Sequence, residues 1–202
     1  MKQRTIYLIN IAAMLGLLIV VAVTVFFPQP YEYQGSLIEP PADSYAFALT
    51  KEDGTTYRLQ DQQGKVVLIF FGYANCPDVC PTTLSDFKKI QGQLADQADQ
   101  VEFVFITIDP ERDTPQDIEN YVSAFDPSFV GLSGSVEELQ SVWDGYFVYR
   151  AKVESGSEAG YLMDHTARVY VIDQQGNLRL TFPFGMEADA MAADIAQLVD
   201  QN

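Results

Sequence analysis

The chain has 202 residues, of which 48% are hydrophobic and 20% charged, with two cysteines and one histidine; it is too apolar for disorder and too poor in cysteine for a disulfide-built mini-domain. Its 28 acidic against 12 basic residues give a formal charge of −16, which argues against nucleic acid as a partner, because a phosphate backbone needs clustered cations. The length fits one folded domain.

Residues 6–27 run apolar, without charge, interrupted only by Asn10 and Thr24. As a helix these 22 residues reach about 33 Å, against a hydrocarbon core of roughly 30 Å. A cleaved signal peptide would be shorter and end on small residues, whereas this run ends Val25, Phe26, Phe27, Pro28, so it reads as an uncleaved anchor. Lys2 and Arg4 precede it and nothing basic follows until Lys51, which makes residues 1–5 a cytoplasmic tail and the remainder exported. The exported part carries about −18, a charge that disfavours close contact with anionic lipid.

Residues 28–44, with Pro28, Pro30, Pro40 and Pro41, read as an extended linker. From Tyr45 a folded domain, residues 45–202, begins with a hairpin: strands at 46–50 and 55–59 around Asp53-Gly54, and a turn at 61–64. The continuous apolar runs 66–71 and 101–108 have the pattern of strands buried on both faces. Between them Pro81 can open a helix whose buried face is Leu84, Phe87, Ile90 and Leu94. Thr114-Pro115 with Asp117, and Ser135 with Glu138, start two more helices. Residues 167–172 and 178–182 pair around a turn at 173–177, and a last helix points Ala188, Met191, Ile195 and Leu198 inward. The expected fold is a mixed α/β three-layer sandwich, stable without a disulfide.

Cys76 and Cys80 lie in Asn75-Cys76-Pro77-Asp78-Val79-Cys80-Pro81, directly after the first buried strand, where α/β sheets place their ligands. Pro81 should keep Cys80 out of helical geometry, leaving both thiols on a constrained turn. Their spacing allows a disulfide or a two-thiolate clamp, and the helix start favours ionised sulfur. A purely stabilising disulfide is the plainer reading, but so short a loop removes little chain entropy. His165 precedes the third core strand and reaches the cysteines' end of the sheet if that strand runs antiparallel to 66–71. Alone, it could equally be a hydrogen-bonded surface group. Two soft thiolates and an imidazole suit copper, whereas a closed structural zinc site wants four ligands. Asp164 either supports the imidazole from behind or shapes the turn.

These residues resemble the SCO/SenC family of membrane-anchored, thioredoxin-like copper-binding proteins. The resemblance is carried by Phe70-Phe71-Gly72-Tyr73, by Cys76-Pro77-Asp78-Val79-Cys80-Pro81, by Asp109-Pro110-Glu111-Arg112-Asp113-Thr114-Pro115, and by Asp164-His165-Thr166 before Tyr170. The chain departs from it at Ala74 and Asn75, where members often carry Thr and frequently His. The likeness implies a thioredoxin-like fold and a copper site of Cys76, Cys80 and His165 taking Cu(I) or Cu(II); Asp164 and Asp78 are the candidates to stand behind the ligands. It also implies a role in assembling the binuclear copper centre of cytochrome c oxidase subunit II, supplied by an upstream copper donor or thiol reductant. With the anchor, it places the protein in a bacterial inner membrane, single-pass, with its soluble domain periplasmic.

Three functions compete. A copper metallochaperone needs all three donors. A thiol-disulfide reductase acting on the oxidase subunit needs only the redox-active pair Cys76 and Cys80, although three intervening residues depart from the usual two. A thiol peroxidase is allowed by the fold alone. The Asp109 to Pro115 stretch has a sufficient task as a helix start, with partner docking as the other reading.

Overall fold

The computed structural model describes residues 2–26, 30–157 and 160–201. Helix α1, Lys2–Phe26, contains Gln3–Ala22, of mean hydropathy 2.4, and is long and apolar enough to cross a membrane. Phe27 and Pro28, where the sequence ends the span and opens the linker, lie outside the described residues. The chain divides into two units, Met1–Glu32 and Tyr33–Asn202.

The second unit runs β1 (Ser36–Asp43), β2 (Ala48–Thr50), β3 (Thr56–Arg58), β4 (Val66–Gly72), α2 (Val79–Leu94), β5 (Val101–Thr107), α3 (Pro115–Ser123) and β6 (Val130–Leu132). It continues with α4 (Val136–Gly145), β7 (Arg150–Ser157), β8 (Gly160–His165), β9 (Arg168–Ile172), β10 (Asn177–Pro183) and α5 (Ala188–Val199). Six strands form one sheet in the order β1-β10-β9-β4-β5-β6. The central β4 is parallel to β5 and antiparallel to β9, and all seven of its residues are buried.

Successive side chains of β4 point to opposite faces, and both faces are filled by aromatic rings. Phe70 meets Phe105 at 5.9 Å, and the neighbouring Phe103 packs on Phe87 of α2 at 5.1 Å. Phe71, on the other face, lies 5.5 Å from Tyr146 at the end of α4. Helices on both sides of a mixed sheet make the three-layer sandwich. Helices α3 and α4 begin where the sequence places them, each with a reciprocal capping box: Thr114 with Asp117, Ser135 with Glu138.

The structure differs from the sequence reading in three places. Residues 36–43, read as part of an extended linker, form β1, the edge strand against β10. An edge strand tolerates proline because one side needs no donors, and the register breaks between Leu37 and Ala42, across Pro40-Pro41. The buried Asp194 carboxylate pins its start by accepting the Gln34 and Gly35 amides at 2.8–3.1 Å. Cys80, expected outside the helix, lies in the first turn of α2. Pro81 does not prevent this, since the amides of a first turn have no helical partner to lose. Finally, β7 and β8 form a separate two-stranded sheet where no hairpin was expected.

Candidate metal centre

The site is built at the C-terminal end of β4. After Gly72 the chain turns through Tyr73, whose carbonyl accepts the Cys76 amide at 3.2 Å, and the Cys80 amide then donates to Cys76 Sγ at 3.4 Å. Cys80 is fully buried and Cys76 half-buried. Gly72 admits nothing larger: a Cβ there would stand 2.8 Å from Cys80 Sγ and 2.8 Å from the Phe105 ring. The sequence reading took this glycine as a strand boundary; its position one residue past an apolar run and eight before Cys80 was the available signal.

His165 is the last residue of β8. Because β9 runs antiparallel to β4, the chain entering β9 is delivered to the cysteines' end of the sheet. The imidazole stands edge-on to Tyr73 and Phe70, each with ring centroids 6.1 Å away. Its Nε2 lies 3.9 Å from Cys80 Sγ, and the donor atoms of Cys76, Cys80 and His165 all fall within 4.8 Å of one another. Cys76 and His165 border a depression of about 210 Å³, with Cys80 buried beneath them.

The two thiols are electrostatically unequal. Cys76 is drawn down to about 3, first by the hydrogen bond from Cys80 and further by His165 and the Asp78 and Cys80 amides, against the burial that opposes it. Burial pushes Cys80 up, and donating to an already negative Cys76 pushes it further. The pair therefore shares one proton, leaving a partly accessible thiolate beside a buried thiol.

The carboxylates expected behind the ligands lie instead at the exposed rim of the same depression. His165 Nδ1 faces the Thr166 carbonyl at 3.1 Å, and Asp164 is exposed on β8. The Asp78 side chain is also exposed; its contribution is the backbone amide directed at Cys76. The Asp109 to Pro115 segment does more than start α3. Buried Asp113 accepts the Thr107 hydroxyl at 2.6 Å and the Ala74 amide at 3.2 Å, tying the segment to the loop that carries Cys76.

A mixed sheet with a Cys-x-x-x-Cys pair at a strand-to-helix junction, joined by an imidazole from the chain entering an antiparallel neighbour, defines a thioredoxin-like domain with a soft three-donor cluster. The SCO1/SenC family model matches residues 37–200. A SCO2-like protein of Rickettsia prowazekii is 34% identical over 143 residues, 70% of each chain. The human mitochondrial SCO1 homolog is 38% identical over 156 residues, 74% of this chain but 50% of its own length. The structure of Bradyrhizobium japonicum ScoI with copper bound is 40% identical, with a TM-score of 0.70, covering 78% of this chain and 99% of that one. The chain belongs to the SCO1/SenC family.

Proposed function

We propose that the protein is a copper metallochaperone in which Cys76, Cys80 and His165 hold the ion as transferable cargo. The observation that carries this reading is the convergence of two sulfurs and one imidazole within 4.8 Å. Three donors around a first-row ion at bonds of about 2.0–2.3 Å stand roughly 3.5–4 Å apart in a plane. The 3.9 Å between Cys80 Sγ and His165 Nε2 fits that without movement. Soft sulfur favours Cu(I), Cys76 needs no proton removed at neutral pH, and ScoI proteins of Arabidopsis thaliana and Bradyrhizobium japonicum have been solved with copper bound. The half-buried Cys76 leaves a target's ligands a route to the ion.

The acceptor in this reading is subunit II of cytochrome c oxidase, whose binuclear copper centre the protein helps to assemble, after loading by an upstream copper donor. Lys2 and Arg4 hold the amino terminus of an anchor at 6–27 in the cytoplasm, and the domain works on the outer side of a bacterial inner membrane. Anaerobic titration of the reduced protein with Cu(I) tests the reading: one ion per chain should survive gel filtration, and retention of none would refute it.

A second reading, suggested by a half-buried Cys76 beside a second thiol four residues on, is reduction of the subunit's cysteines. The Cys76 thiolate would attack a target disulfide to give a mixed disulfide and expel one target thiolate. Cys80 would then lose its proton, attack Cys76 Sγ and release the second, leaving the target reduced and Cys76–Cys80 oxidised. His165→Ala separates the two: oxidase assembly preserved without copper retention favours reduction.

A further inference from the structure

Among the described residues the β7–β8 hairpin, which ends in His165, forms a sheet of its own. A lone two-stranded hairpin is marginally stable in water, so its direction must be set by side chains. Besides the Met163 amide on the Tyr73 hydroxyl, its contacts, the surface pair Lys152–Glu111 at 2.6 Å among them, converge on the end of β5 and the loop after it. Arg150, paired across the ladder with His165, lays its guanidinium 3.7 Å above the buried Trp143 ring and donates to the Ile108 carbonyl at 3.2 Å. Trp143 is itself held by its indole N–H on the Thr107 carbonyl at 3.1 Å.

A second tie lies further along the hairpin. Asp109, 2% exposed, accepts Arg112 Nε at 2.5 Å and the Tyr161 hydroxyl at 2.7 Å. Arg112 also donates to the Tyr161 carbonyl at 2.9 Å, and its guanidinium stacks 3.7 Å from the Tyr161 ring. The frame that receives both arginines also receives the thiol loop. The Ile108 amide donates to the Gly72 carbonyl at 2.8 Å, and Asp113 takes the Ala74 amide.

We propose that Arg150 and Arg112 are positioning residues that dock the His165-bearing hairpin onto the same 107–113 frame that fixes the cysteine loop, so that imidazole and thiols are held in register by one segment. Arg150 acts at the base of the hairpin and Arg112, with Asp109 and Tyr161, sets its angle; one tie alone leaves a pivot, and two leave a direction. Guanidinium is suited to both places because it stacks on an aromatic face while its N–H groups reach a carbonyl or carboxylate in the same plane. This inference rests on the three-donor reading above for its consequence, but its geometry can be tested without metal.

The chain contains one histidine, so selective 13C labelling of histidine gives a single ring signal in the reduced, metal-free, full-length protein in detergent. Wild type should show nuclear Overhauser contacts from that ring to the Tyr73 and Phe70 rings. In Arg112→Ala/Arg150→Ala these contacts should be lost while the amide shifts of β4, β5 and β9 stay in place. Loaded with Cu(I), the double variant should keep its sulfur shell and fall to the nitrogen count of His165→Ala by X-ray absorption. Arg150→Lys, which keeps the charge but not the planar stack, should recover less than half of the wild-type contact intensity. Unchanged histidine contacts in the double variant overturn the proposal, whatever the metal does. Should the double variant lose its dispersed core signals, Tyr161→Phe and Arg150→Lys decide, and full contacts in both overturn it. A wild type whose Cu(I) spectrum lacks nitrogen would remove the three-donor reading while leaving the docking result to stand on the metal-free contacts.

Discussion

The unequal thiols make a quantitative prediction for reactivity. Consider the reduced, metal-free protein attacked by a small uncharged disulfide, with the rate of thiol loss followed from pH 4 to 9. At pH 5 an ordinary thiol of pKa about 8.5 is ionised to roughly 3 parts in 10,000, whereas Cys76, drawn down to about 3, is almost wholly thiolate, a gain of ~3,000-fold. Nucleophilicity falls with basicity along a Brønsted slope of about 0.4–0.5, which over a pKa gap of about 5.5 removes ~300-fold. Cys76 should therefore react about tenfold faster than a free cysteine at pH 5 and ~70-fold slower at pH 8, on a nearly flat profile. Cys80, fully buried, should enter only afterwards, by closing the internal disulfide. A rate that climbs tenfold per pH unit between 5 and 8 would refute the account of the pair. The same asymmetry has a sign for stability. The depressed Cys76 contributes stabilisation present above the free-thiol value and lost as pH falls toward about 3. The raised Cys80 contributes below the free-thiol value and loses its contribution as pH climbs above it.

Two further substitutions separate packing from the site. Gly72→Ala places a methyl 2.8 Å from Cys80 Sγ and the Phe105 ring; denaturant unfolding should show a loss of about 1–3 kcal/mol together with weakened Cu(I) retention, and a change below about 0.5 kcal/mol would mean the strand end yields freely. Thr114→Ala removes the side-chain cap of α3 and should cost about 0.5–2 kcal/mol with Cu(I) retention unchanged, because the exposed Thr114 side chain bonds Asp117 within its own helix; impaired retention would contradict that separation.

Much of this architecture is legible in the sequence because the relevant signals are local. β4 and β5 are uninterrupted apolar runs, α3 and α4 carry their caps in the chain, and α2 shows its buried face in Leu84, Phe87, Ile90 and Leu94. The cluster of Cys76, Cys80 and His165 was legible for a different reason: with two cysteines and one histidine, few combinations exist. What escaped is non-local. β1 hides because Pro40 and Pro41 look like linker, and only its pairing with β10 and the Asp194 carboxylate reveal an edge strand. The β7–β8 hairpin hides because its hold on the molecule is through Arg150 on Trp143 and Arg112 on Tyr161, contacts between residues 7 and 49 positions apart that no periodicity records. Asp164 looked like a partner for His165 because it is adjacent in the chain; side chains alternate along β8, so adjacency sends Asp164 outward while Thr166 supplies the carbonyl at Nδ1.

The most direct test of three donors sharing one soft ion is X-ray absorption at the copper edge of the anaerobically loaded protein, beside His165→Ala. Wild type should fit two sulfurs and one nitrogen, and the variant two sulfurs alone. A wild-type spectrum identical to the variant's, or a reduced wild type that retains no copper to measure, would contradict it.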